Sequence, residues 1–172
     1  MMRFRFNLAA FAFAIGMGAT AQAAPLTFDC NAPTETASAI ANAAQMPPAI
    51  SGTITPNRAR PGRQLPMVGA QLISPDGQSE VGFVLTLPAA NSQFMDVSLI
   101  VRRGSQSDNR RVGQIDVNNP IPFRLYVDPA GVANIEIQGR SFNSGFVPIV
   151  SGTESVFCST GQFTFTNLRF SD

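Results

Sequence analysis

Two clusters of arginine are the residues whose type and spacing first point to chemistry. Arg102, Arg103, Arg110 and Arg111 bracket a polar stretch reading RRGSQSDNRR, and Arg58, Arg60 and Arg63 share a second loop. A guanidinium is a planar fork that holds carboxylate or phosphate through paired hydrogen bonds. The first four are therefore candidate contacts for an anionic ligand, such as a surface glycan or a lipid head group. The same residues also suit a solvated hairpin tip, where charge blocks edge pairing.

The other reactive side chains offer less. The sequence has no histidine, which removes the commonest general base and metal ligand. Ser-His-Asp and Cys-His catalysis and the usual zinc sites are excluded with it. Hydrolysis of a glycoside needs two carboxylates flanking the bond, and the eleven acids form no recognisable pair. Asp76, Asp108 and Asp128 read as turn residues, where Asp bonds its own backbone. Calcium needs only oxygen ligands, but no D-x-D-x-D cluster occurs. No metal and no cofactor is expected. Sugar stacking favours Trp and Tyr; Trp is absent, and Tyr126 is the single tyrosine.

Compartment follows from the N-terminus and the cysteines. Arg3 and Arg5 precede an apolar run over 8–19, and Ala21-Gln22-Ala23 is a small-residue cleavage pattern. Together they read as a signal peptide over 1–23, so the mature chain is expected to be secreted or periplasmic. A membrane anchor would need about 20 apolar residues. In an oxidising compartment the two cysteines, Cys30 and Cys158, are expected to form a disulfide. The chain-entropy relation puts an upper bound of about 5 kcal/mol on so long a loop.

All twelve basic residues are arginine, and two of them leave with the signal. The remaining ten against eleven acids give a near-neutral mature chain. Phosphate-backbone binding needs a basic surface, so nucleic acid is not an expected partner.

The elements that must position these residues are mostly strands. Alternating runs recur: Val81, Phe83, Leu85 and Leu87; Val97, Leu99 and Val101; Phe123, Leu125 and Val127; Ala133, Ile135 and Ile137. Each has the period of a half-buried strand. Pro75-Asp76-Gly77 and Asp128-Pro129-Ala130-Gly131 supply turns. Phe163 and Phe165 differ in parity from Leu168 and Phe170, which places a bulge or bend near Thr166-Asn167. The alanine-rich stretch 31–44 is expected to form a short helix, with Asn31 or Thr34 capping and Pro33 in its first turn. The chain thus divides into a signal peptide (1–23), a leader with the helix (24–48) and a domain over 49–172. That domain is expected to be all-β, an antiparallel β-sandwich of about nine or ten strands. A membrane barrel would need longer strands and Trp/Tyr girdles.

One stretch carries a family resemblance. Residues 123–142, FRLYVDPAGVANIEIQGRSF, resemble a hairpin of the concanavalin-A-like or laminin-G-like jelly rolls, through Leu125, Val127, Asp128, Gly131, Ile135, Ile137 and Gly139. The resemblance implies a jelly-roll-like sandwich. Glycanases of that group carry E-x-D-x-x-E on one strand face; this chain has Glu136 and then Gln138, so the catalytic residues do not carry over.

The expected function is an exported, non-enzymatic structural or binding module of the cell envelope or extracellular space, with an envelope or extracellular glycan or protein as partner. The alternative is a jelly-roll carbohydrate-active enzyme or lectin.

Overall fold

A computed structural model describes residues 24–44, 47–147 and 149–171. The expected signal peptide, 1–23, lies outside the described residues, as does Asp172.

The described residues form ten antiparallel strands and no helix. They are β1 (Leu26–Ala44), β2 (Ala49–Ala59), β3 (Met67–Ile73), β4 (Ser79–Thr86), β5 (Phe94–Arg103), β6 (Gln106–Asp116), β7 (Ile121–Val127), β8 (Val132–Ile137), β9 (Arg140–Phe146) and β10 (Gly152–Phe170). The order across the sheet is β6-β5-β4-β3-β10-β2-β7-β8-β9, with β1 paired to β10.

The long strand β10 organises this order. Its first part pairs with β3 over Thr153–Ser159, and its second pairs with β2 from Gly161 onward. Thr160 separates the two with φ 50°, a strained value for a β-branched residue. Two bonds hold the corner: the Glu35 N–H donates to Thr160 Oγ1 at 3.2 Å, and the Arg60 N–H donates to the Thr160 carbonyl at 3.2 Å. The sheet curls there, so its β3–β6 half faces its β2–β9 half. Phe83 of β4 meets Phe123 of β7 edge to face across the core, with ring centroids 5.4 Å apart.

Period-two alternation builds the core, as the sequence predicts. Met95, Val97, Leu99 and Val101 of β5 are buried, as are Ile121, Phe123, Leu125 and Val127 of β7, and Ala133, Ile135 and Ile137 of β8. Between them, Asp96, Ser98 and Arg102 on β5, and Arg124 and Tyr126 on β7, point outward. The expected irregularity near Thr166-Asn167 is a bulge: Asn167 has φ 52°, and the β10–β2 register shifts between Thr166 and Arg169.

Cys30 and Cys158 are joined by a disulfide, with Cα atoms 6.0 Å apart. Cys30 sits opposite Phe163 and Cys158 opposite Val68, so the bridge ties one half of the curled sheet to the other inside the core.

Three expectations are corrected. Residues 31–44 are extended, not helical, so the 24–48 segment contributes strand β1. Alanine's helix propensity is a weak preference, and this stretch has no bulky apolar stripe to pack a helix. A ladder running from Leu26 opposite Leu168 to Ala44 opposite Gly152 satisfies its backbone instead. The polar stretch 102–111 is not a loop. It is the tip of the β5–β6 hairpin, turned at Gly104 with φ 59°, and β6 begins at Gln106, so Asp108 lies in a strand and not in a turn. The loop expected from Arg58 starts only after Ala59, because β2 extends that far.

Candidate functional site

The arginines singled out in sequence are divided between two surfaces. Arg102 points outward from β5 and donates to Glu80 Oε2 of β4 through Nε at 3.1 Å and through a terminal nitrogen at 2.6 Å. Arg111 of β6 lies 2.7 Å from Asp96 Oδ1, which also accepts from Gln114 at 2.9 Å. Arg103 and Arg110 do something different. They reach across the open side of the curled sheet and donate to the β9 carbonyls of Ser144 (2.8 Å) and Asn143 (3.5 Å). Arg140 of β9 reciprocates, donating to the Gln114 carbonyl of β6 at 2.8 Å. The edge strands of the two halves are therefore stitched by guanidinium–carbonyl bonds. In the second cluster, Arg60 donates to Asn31 Oδ1 (2.7 Å) and the Ala32 carbonyl (3.3 Å).

Glu80 and Asp96 of the β3–β6 half do not form a two-carboxylate site. Glu80 lies opposite Arg102, and Asp96 is six residues away along β5. At the rise of an extended strand that is about 20 Å, well beyond the roughly 5–10 Å that glycoside hydrolysis requires. Asp128 caps its own turn: Oδ1 accepts the Ala130 and Val132 N–H groups, each at 2.9 Å. Asp76 does the same, accepting from Ser74 Oγ at 2.5 Å and the Gln78 N–H at 2.9 Å. The Ser74 bond and then the Gln78 bond hold the Asp76 carboxyl below its ordinary range. Among the described residues no three His, Cys, Asp or Glu side chains gather to hold a metal ion.

The outer face of the other half is organised differently. One row crosses five strands in register: Ser141 of β9, Glu136 of β8, Arg124 of β7, Ser51 of β2 and Arg169 of β10. Arg124 is exposed, and its guanidinium carbon lies 4.6 Å from the centre of the Tyr126 ring. Pro122, Arg124, Glu136, Gly139 and Ser141 line a cleft beside it. The cleft exists because Gln138 and Gly139 adopt φ 49° and 74°, a two-residue turn that brings β9 sharply back along β8. Thr53 and Thr166 lie opposite each other in the next row.

Among the described residues, neither Arg124 nor Arg169 has an acid within 4.0 Å or a hydrogen-bond acceptor for its side chain. Arg58 and Arg63 share this; Arg60, Arg102, Arg103, Arg110, Arg111 and Arg140 do not. Sequence reasoning passed over Arg124 and Tyr126, although the alternation of FRLYV already places both on the wet face of β7. The partners that occupy the other arginines are not readable from spacing.

No protein-family model matches the chain, and no curated protein matches it. Solved structures do. An alginate lyase from Pseudomonas aeruginosa superposes with a TM-score of 0.55 at 17% identity, covering 73% of this chain and 64% of that one. This chain thus spans somewhat less than two thirds of that lyase. A β-glucanase from Bacillus licheniformis gives 0.53 at 9% identity, covering 85% and 78%. A carbohydrate-binding module from Bacillus subtilis gives 0.51 at 12% identity, covering 79% and 82%. The fold is jelly-roll-like. At these identities the likeness shows the architecture alone; the same curled sheet occurs in proteins that cleave sugars and in one that binds them.

Proposed function

We propose that the mature chain is an exported binding module that holds a glycan on the outer face of its β2–β7–β8–β10 half and turns over no substrate. The observation that carries this reading is the Arg124–Tyr126 pair on the outer face, the guanidinium exposed and held by the ring with its donors unoccupied among the described residues. Backbone and side-chain groups fixed on a rigid sheet are a pre-organised contact surface. The jelly-roll-like architecture, common to a carbohydrate-binding module and to polysaccharide-cleaving enzymes, supports a sugar polymer as the ligand class. The disulfide supports an oxidising, extracytoplasmic compartment.

The non-enzymatic part rests on chemistry. Catalysis near neutral pH needs a base tuned to that range, and the chain has neither histidine nor lysine. Asp76, Asp116 and Asp128 cap turns, and Glu80 and Asp96 are held in ion pairs.

The test is incubation of the exported protein with a panel of polysaccharides, reading both retention and new chain ends. Retention without new ends is expected. Accumulating ends, abolished by Glu136→Gln or Tyr126→Phe, would make the protein an enzyme and overturn this reading.

A further inference from the structure

We infer, on the footing that this face holds a glycan, that the glycan is acidic: Arg124 receives one of its oxyanion groups, and Arg169 meets a second part of the chain. Exposed arginines are ordinarily ambiguous, and among the described residues Arg58 and Arg63 also have no acceptor; what sets Arg124 apart is the ring that orients it. Arg102 and Arg111 are already neutralised by Glu80 and Asp96. Arg103, Arg110 and Arg140 are consumed in closing the edge between the β5–β6 hairpin and β9. Arg124 is held by a ring instead of an acceptor. The Tyr126 face orients the guanidinium by cation–π attraction at 4.6 Å and consumes none of its N–H groups. A planar fork held in place with its donors unoccupied suits bidentate binding of a carboxylate or sulfate. It is less well matched to a neutral hydroxyl, whose single oxygen cannot take both prongs of the fork.

The flanks give the site a direction. Glu136 lies directly opposite Arg124 on β8 and repels an anion approaching from that side. On the other side, Ser51 intervenes and Arg169 follows two strands away, about 10 Å at the usual strand spacing. Thr53 and Thr166 offer hydroxyls in the neighbouring row. An acidic polymer is thus drawn from Arg124 toward Arg169, across β2, with sugar hydroxyls facing the threonines.

The experiment is affinity electrophoresis of the exported protein in gels containing polygalacturonate (carboxylate), dextran sulfate (sulfate) or dextran (neutral), at low and raised salt. The expected result is retardation by an acidic polymer that weakens as salt screens the contact. Arg124→Gln and Arg169→Gln should each weaken it about tenfold, with unchanged thermal midpoints, and Arg102→Gln should not. Which acidic polymer retards more identifies the oxyanion. Equal retardation by dextran, or retardation insensitive to both Arg124→Gln and Arg169→Gln, would overturn the acidic-ligand inference and leave the glycan-binding reading standing. No retardation by any of a broad polysaccharide panel would remove both.

Discussion

The guanidinium of Arg124 lies over the ring of Tyr126, 4.6 Å from its centre, two residues away along the same strand and on the same face. The only tyrosine of the chain is thus spent on aiming an arginine. If the ring's role is to orient the cation, its π-face matters and its hydroxyl does not. Tyr126→Ala should weaken binding of an acidic polysaccharide about two- to fivefold, the size of an exposed cation–π contact. Tyr126→Phe should leave binding unchanged. Equal loss in both variants would assign the role to the hydroxyl instead.

The disulfide closes a loop of sequence separation 128 and joins the two halves of the curled sheet. Its removal by reduction, or by Cys30→Ala with Cys158→Ala, should cost about 2–4 kcal/mol. Thermal unfolding should then shift down by several degrees for a domain of this size. A midpoint unchanged by reductant would contradict this.

Arg103, at the end of β5, and Arg140 hold the β5–β6 hairpin and β9 together through backbone carbonyls. Replacing either by Ser should cost about 1 kcal/mol, lowering the midpoint by roughly 2–4 °C. Amide exchange should accelerate at β6 and β9 first. Glycan binding should be unaffected, because these side chains lie on a different surface from Arg124. Loss of binding with intact stability would place the ligand at this edge.

Asp76 links turn stability to pH. Its carboxyl is held below the ordinary value of 3.8, first by the Ser74 hydroxyl and then by the Gln78 N–H. A folded-state value lower than the unfolded one means that the ionised carboxylate stabilises the turn above the unfolded value. That contribution is lost as pH falls through the lower folded value. A carboxyl NMR titration should place the Asp76 midpoint below 3.8, and Ser74→Ala should move it back upward. A midpoint at or above 3.8 in the folded protein would contradict the arrangement.

Strands such as β5, β7 and β8 were legible because each alternates between one buried and one wet face, and period two is a local property of sequence. β1 was not legible. Its residues 31–44 favour a helix locally, and only β10, more than a hundred residues onward, makes them a strand. The disulfide could be read from cysteine count and compartment. The arginine roles could not: Arg103, Arg110 and Arg140 bond backbone carbonyls 41, 33 and 26 residues away, and a carbonyl leaves no mark in a sequence. Arg124 and Tyr126 were legible as outward residues but carried no weight until the structure showed the ring holding the guanidinium, with Arg102, Arg103, Arg110 and Arg111 occupied elsewhere.

Glycan binding without turnover at the outer face around Arg124 is read out by a single backbone-amide NMR titration with an acidic oligosaccharide. Shifts should cluster at Arg124, Tyr126, Glu136, Ser51 and Arg169 and saturate with added ligand, while the ligand's own signals stay those of the intact oligosaccharide. Shifts confined to the Glu80, Asp96 and Arg102 face, or the growth of product signals during the titration, would contradict it.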